Sequence, residues 1–222
     1  MHPKRSVPKK RCTGQGDEID DRVVATSGTF NLVCWDIYAL LTYQPELKLM
    51  TKYTITNANL DEFKSIGDLM VRVYSALEGF PKPEEQPTYY QMLRNVGSLT
   101  ETPSTELFVA KDEQKEILGA VVFFGDMKDY GSGGTAVQEK GACGFRLLAV
   151  APAARGLGIG KALSIACIER TKLLGKKTVV IHSTEAMKVA WGMYERLGFK
   201  RELDLDFTQQ DLPVYGFRLK LN

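Results

Sequence analysis

The sequence predicts an α/β (α+β) domain, one mixed sheet with helices on its faces, and three observations carry that prediction. The first is a strand, a glycine turn and a helix read in a single stretch, Gly144 to Leu163. The second is an apolar period that switches between strand and helix spacing, giving the order β, α, α, β, β, β, α, β, α, β, β. The third is size: 222 residues, 44% of them hydrophobic and 25% charged, suit one globular domain with a full core.

The first stretch organises the rest. Phe145, Leu147, Leu148, Ala149 and Val150 read as a buried strand stopped by Pro152. Three alternate glycines follow, Gly156, Gly158 and Gly160, and Ile159, Leu163 and Ala166 then recur at helical spacing. The first turn of such a helix has N–H groups without intrahelical partners and carries partial positive charge, so it attracts anions. Arg155 and Lys161 add full charges, which makes the turn a phosphate cradle. A P-loop would need Ser or Thr after Gly160-Lys161, where Ala162 stands, and glycine at Arg155. The dinucleotide fingerprint would need glycine at Lys161.

The other elements follow in order. Residues 1–49 are polar and rich in Lys, Gly and Asp, then apolar from Phe30 to Leu41 but broken by Asp36. They read as an N-terminal extension, disordered or upstream of the native chain. Met50 directly precedes the first strand, Tyr53 to Thr56, and is a candidate start for a domain over residues 50–222. The intact mass of the protein from its native source tests that start.

From Asn59, an N-cap, the residues Phe63, Ile66, Leu69, Met70, Val73, Tyr74 and Leu77 share one helix face, ended by Gly79, Pro81 and Pro83. Tyr89 to Val96 reads as a second helix, closed by Gly97 and Pro103. Glu106 to Lys111 and Ile117 to Phe124 read as a hairpin. Asp126 to Gly141 reads as a flexible loop leading into the organising strand, either bordering a functional site or a low-complexity spacer. The motif helix runs to Gly175, and a strand from Lys177 to His182 completes a right-handed βαβ unit. Glu185 to Leu197 is the last helix. Phe199 to Phe207 and Val214 to Leu221 are expected to pair antiparallel with one wet face.

A net charge of +2 argues against a nucleic-acid or membrane surface, and points to small-molecule partners. The basic start, Lys4 to Arg11, leads into Asp17, Glu18, Asp20 and Asp21 rather than a signal-peptide core, and no run has transmembrane length, so the expected location is cytoplasmic. Cys12, Cys34, Cys143 and Cys167 lack Cys-x-x-Cys spacing, and His2 and His182 are the only histidines. Free thiols and no metal site are expected.

Arg155, Gly158 and Gly160 satisfy Arg-x-x-Gly-x-Gly and follow Leu148-Ala149-Val150-x-Pro152. After the strand Val179 to His182, the stretch from Ala190 through Tyr194 to Gly198-Phe199 fits Ala-x-x-x-Tyr-x-x-x-Gly-Phe. With both segments in that order and separation, the chain resembles the GNAT N-acetyltransferase superfamily over about Met50 to Asn222. The element order read above is also that of the GNAT fold.

The resemblance implies acetyl-CoA as co-substrate and acetyl transfer to a primary amine of a small molecule or protein by direct attack. It implies that Leu148, Ala149 and Val150 pair their backbone with the pantetheine arm, as an added strand pairs with a sheet edge. Arg155, Gly156, Leu157, Gly158, Ile159, Gly160 and Lys161 would hold the pyrophosphate, with Ala190 and Tyr194 also along the coenzyme. Tyr194 stands where the family has the acid that protonates the departing thiolate, a role a phenol with pKa about 10 can fill. Periodicity alone, with Ala186, Val189, Ala190, Met193 and Leu197 on the same face, would make Tyr194 core.

Two departures stand out. Where some relatives carry a glutamate base this chain has Gly144, and where many carry an asparagine that bonds CoA it has Met187. His182 is then the candidate base, with Glu185, Glu139 and water as rivals. A chain that keeps the cradle but lacks a base also fits a non-catalytic acyl-CoA-binding or sensor module. Glu78 to Phe80 and the Asp126 to Gly141 loop are expected to shape the acceptor pocket, with Asp126, Asp129 and Glu139 either available to a polyamine or ordinary solvated charges. Homodimers are common in the family, so the resemblance leaves a homodimer open, and the residues do not spell out the oligomeric state.

Overall fold

In the computed structural model, which describes residues 53–221, the chain runs through β1 (Tyr53–Asn57), α1 (Phe63–Ser75), α2 (Pro87–Arg94), β2 (Thr105–Asp112), β3 (Ile117–Phe124) and β4 (Ala142–Val150). It continues through α3 (Ile159–Leu173), β5 (Thr178–Ser183), α4 (Lys188–Arg196), β6 (Lys200–Arg201), β7 (Phe207–Gln209) and β8 (Leu212–Lys220). The strands form one mixed sheet in the order β1-β2-β3-β4-β5-β8-β6, with β7 paired to β8. Among the described strands only β4 and β5 pair in parallel; every other neighbouring pair is antiparallel. The expected mixed sheet flanked by helices is the fold observed. The extension over residues 1–49 and the start at Met50 lie outside the described residues.

Each face of the sheet carries its own core. On one face Ile66, Leu69, Met70 and Val73 of α1 and Leu93 of α2 pack on Leu107, Val109, Val122 and Val180. On the other, Ile159, Leu163 and Cys167 of α3 and Tyr194 of α4 pack on Val121, Phe123, Phe145, Val179 and Phe217. The start of α1 is held as the Asn59 cap implies: the Asn59 N–H donates to Glu62 at 2.8 Å, and Glu62 also takes Lys111. Among the described residues no helix is long and apolar enough to cross a membrane.

Two irregularities in β4 place the site. Opposite β3, Ala149 pairs with Ala120 but Arg146 pairs with Val122, so Leu147 and Leu148 face a single residue, Val121. This is a β-bulge, and Leu147 takes the left-handed φ of 59° at its centre. The bulge resets the alternation: Ala142 faces α1 and α2 before it, and Leu147 and Ala149 face the same side after it. Opposite β5, pairing stops after Gly144↔Val180. From Ile181 on, β5 pairs only with β8. The parallel strands therefore splay apart into a cleft at the centre of the sheet.

The closing pair is more broken than periodicity suggested. Phe199 to Phe207 is not one strand but β6, a short 3-10 turn at Leu203–Leu205 and β7. The chain folds in there because Leu205 is fully buried against Gly216, where a Cβ would sit 2.1 Å from the Leu205 Cβ. The loop at 126–141 is also more ordered than its glycines suggested, since Met127, Tyr130 and Ala136 are buried under it.

Candidate active site

Pro152 ends β4 and starts one 3-10 turn, Pro152–Ala154. The chain then takes two left-handed residues, and both are glycine: Gly156 at φ 79° and Gly158 at φ 82°. A Cβ at either would meet no atom within 4 Å, so backbone conformation rather than crowding demands glycine, and the space above is open. Gly158 caps α3, whose first backbone bond is Ala162 N–H to the Gly158 carbonyl at 3.0 Å. The N–H groups of Ile159, Gly160 and Lys161 form the first turn of α3, the part of a helix whose amides have no intrahelical acceptor. Ile159 is buried and Leu157 half-buried, anchoring the loop, while Arg155 and Lys161 are exposed beside it.

The cleft leads from this loop into the sheet. Ala149 and Val150 remain paired to Ala120 and Gly119 on the β3 side, while their β5 side has no ladder partner. At the end of β5 the hydroxyls of Ser183 and Thr184 are buried and, among the described residues, find no hydrogen-bond partner. They line a narrow cavity with Leu147, His182 and Met187. Buried hydroxyls are normally bonded, so these suit a ligand that brings amide groups into the cleft.

Tyr194, one turn after the half-buried Ala190, projects from α4 onto Phe145 and Phe199, with ring centroids 5.9 and 5.7 Å apart. Its side chain is core by area, at 6% exposure. Burial pushes the phenol pKa above its ordinary value, so at neutral pH the hydroxyl is protonated and available as a donor.

Across the sheet, the missing side chain of Gly144 is filled by Tyr130, whose ring carbons would lie 2.6 and 2.7 Å from an added Cβ. The Tyr130 hydroxyl lies 3.3 Å from Nδ1 of His182, and Nε2 of His182 lies 2.9 Å from the Leu205 carbonyl. A carbonyl can only accept, so Nε2 carries the proton and Nδ1 accepts from Tyr130. Burial lowers the His182 pKa to about 4, the Leu205 bond opposes that shift, and the charge of Arg146 adds to it. The ring is therefore neutral at pH 7.

Beside His182 opens a wider cleft of roughly 580 Å³, lined by Tyr89, Asp129, Tyr130, Arg146, Leu147 and Phe207 among others. The Arg146 guanidinium lies 5.6 Å from the Tyr130 ring centroid, and its Nη1 donates to the carbonyls of Tyr130 (2.8 Å) and Gly131. The two rival bases sit elsewhere: Glu139 is paired with Arg218 at 2.6 Å, and Glu185 is exposed, 3.5 Å from the Tyr215 hydroxyl. Asp126 caps the turn after β3 by accepting from the Lys128 N–H at 3.1 Å. Among the described residues there is no group of three side chains able to hold a metal.

The acetyltransferase (GNAT) family model matches residues 69–199. The chain belongs to this family. A GNAT-family acetyltransferase of Staphylococcus aureus Mu50 superposes with a TM-score of 0.59 at 14% identity, over 77% of this chain and 100% of that one. A spermidine N-acetyltransferase of Vibrio cholerae solved with CoA and spermine gives 0.51 at 16% identity, over 76% and 95%. A Salmonella typhimurium protein solved with its cofactor acetyl-CoA gives 0.52 at 17%, over 77% and 95%. No curated protein sequence matches the chain.

As a GNAT member the chain is an acyltransferase, and its departures take on physical meaning. At Gly144, where some relatives have glutamate, the space belongs to a tyrosine bonded to a histidine. Met187, where many have asparagine, lines the narrow cavity with a side chain that donates no hydrogen bond. Residues 155–161 form one contiguous loop and helix start, and Tyr194 and His182 lie on opposite faces of the sheet. Sequence reasoning missed Tyr130 and Arg146. The second had a visible signal, as the sole charge inside the apolar strand Ala142–Val150.

Proposed function

We propose that residues 50–222 carry an N-acetyltransferase that moves the acetyl group of acetyl-CoA directly onto a primary amine. The observation that carries this reading is the cleft between β4 and β5, continuous with an open, doubly left-handed glycine loop at a helix start. The Vibrio cholerae and Salmonella typhimurium structures, solved with CoA and acetyl-CoA, support it. In this reading the amides of residues 156–161 and the charges of Arg155 and Lys161 take the diphosphate. The splayed edge of Leu148–Val150, where the Leu148 carbonyl accepts the Tyr74 hydroxyl at 3.5 Å, pairs with the pantetheine arm, and Ser183 and Thr184 complete its polar contacts. Acetyl-CoA supplies a thioester carbonyl as electrophile and a thiol as leaving group.

Tyr194, kept protonated by burial, holds the proton that the leaving sulfur needs. His182 with a pKa near 4 is too weak a base to deprotonate a free ammonium, so the amine must arrive neutral. Once the N–C bond has formed, the nitrogen's proton is far more acidic. It then passes to the Tyr130 hydroxyl as that hydroxyl gives its own proton to Nδ1 of His182. Calorimetry with acetyl-CoA, followed by CoA-release assays over a panel of amines, tests the reading. Binding with release on at least one amine is expected; binding with no release on any would refute transfer.

A further inference from the structure

Arg146 differs from every other arginine among the described residues. Arg170, Arg201 and Arg218 are partly buried, and each meets a carboxylate: Glu106, Asp206, and the trio Glu139, Glu202 and Asp204. Arg72, Arg94, Arg155 and Arg196 meet none but are exposed to water. Arg146 alone is half-buried without a carboxylate partner. Its Nη1 is used by two carbonyls, and among the described residues Nε and Nη2 meet no acceptor. A guanidinium taken partly out of water is costly unless an anion meets it, and its planar fork suits a carboxylate.

Among the described residues no carboxylate is paired with Arg146, although two line the same cleft. Asp129 on the same cleft accepts the Ser104 hydroxyl at 2.7 Å, and Glu85 at the rim accepts the Lys82 N–H at 2.6 Å. Tyr74, Phe80, Tyr89 and Phe207 make the remaining walls aromatic, which leaves the charge poorly screened. Arg146 also stands two residues beyond Gly144, the last residue of β4 paired with β5, and beside the bulge at Leu147. It therefore borders both the narrow cavity at the splayed cleft and the wider one beyond it.

We infer that the acceptor is an amine carrying a carboxylate close to its nitrogen, an amino acid, which Arg146 receives while the amine points into the cleft. The inference deepens the transferase reading and rests on it. A polyamine would bring a second ammonium against the unpaired guanidinium, so the same geometry selects against that class. The cleft's aromatic walls then take the apolar part of the acceptor's side chain.

The test is a CoA-release assay of the full chain with the twenty proteinogenic L-amino acids, their matched carboxamides and spermidine. Wild type, Arg146→Gln and Arg146→Lys are compared, with acetyl-CoA affinity measured calorimetrically for each. In wild type at least one amino acid should exceed its carboxamide by about tenfold or more in kcat/KM, since a site built around a charged group rejects the analogue lacking it. That ratio should fall to about one in Arg146→Gln and survive in part in Arg146→Lys. The ratio is taken within one variant, so partial misfolding does not mimic it, and unchanged acetyl-CoA affinity shows the fold is kept. A carboxamide or spermidine used as well as any amino acid, no amino acid used at all, or a ratio that persists in Arg146→Gln would overturn the inference. Coenzyme binding with turnover of other amines overturns this inference alone, whereas failure to bind acetyl-CoA removes the transferase reading as well.

Discussion

On the side of β4 proposed for the coenzyme the groups are backbone: amides at the start of α3, two left-handed glycines and a strand edge splayed from β5. On the side proposed for the acceptor they are side chains brought from separate segments, Tyr74 from α1, Tyr89 from α2, Tyr130 from the loop before β4, Arg146 from β4 and Phe207 from β7. The first is local in sequence, spanning about a dozen residues, and tolerates any side chain that keeps the backbone path. The second exists only after the sheet has closed. The contrast teaches that the two halves should fail differently under mutation: the coenzyme side through conformation, the acceptor side through chemistry and packing.

The sharpest break is Gly158→Glu. Its φ of 82° costs a non-glycine residue about 1–2 kcal/mol, and the new carboxylate sits where the diphosphate charge must go. Acetyl-CoA affinity by calorimetry should fall by about 1,000-fold or more, roughly 4 kcal/mol, with the circular dichroism of the native fold retained. Gly158→Ala carries the strain without the charge and should lose far less. If the two lose equally, conformation alone explains the loop.

Next in size is Tyr194→Phe, which keeps the ring contacts with Phe145 and Phe199 and removes only the hydroxyl. Loss of a positioned acid should lower kcat by about 100-fold while KM stays within a few-fold. An unchanged kcat would return Tyr194 to the core role that its periodicity alone indicated.

How much was readable follows the same division. The strand–glycine–helix unit and the Ala190–Phe199 segment were legible because each is a run of neighbouring residues whose spacing is itself the signal. The element order was legible for the same reason, through local period. The β4 bulge was not, because Leu147 at φ 59° is an ordinary apolar residue in a left-handed conformation that nothing in its neighbours announces. Tyr130 was hidden in a glycine-rich stretch that read as flexible, and only tertiary contact with Gly144 and His182 orders it. The break between β6 and β7 was equally invisible, since it depends on Leu205 meeting Gly216.

Gly144→Ala addresses the acceptor side by packing alone. Its Cβ would meet the Tyr130 ring at 2.6 Å and the Val180 carbonyl at 2.9 Å, so a ring wedged under a loop or a strand must move. Overpacking of this kind costs about 2 kcal/mol, which for a domain of this size lowers Tm by roughly 6 °C. Acetyl-CoA affinity should remain unchanged, because the open edge and the glycine loop lie beyond it in β4 and α3. Lost coenzyme binding would mean that the two sides are not separable.

The smallest expected effect is the most diagnostic of how the acceptor side is held. His182 titrates near 4 in the folded chain, because burial disfavours its charged form, against an ordinary value of 6.5. The unfolded chain therefore binds a proton between those values that the folded ring refuses, so stability falls as pH falls from about 6.5 and the loss is complete below about 4. With a discount for the ring's contact with an open cavity, this amounts to about 1 kcal/mol between pH 7 and pH 5. His182→Gln can still donate to Leu205 and accept from Tyr130 but does not titrate, so its denaturation midpoint should be less sensitive to acid over that interval than wild type. Carboxylate ion pairs such as Arg218 with Glu139 and Asp204 are common to both proteins and cancel in the difference. Identical acid sensitivity in the two would mean that His182 is charged in the folded protein at pH 5. The neutral ring and the proton relay through Tyr130 would then be lost together.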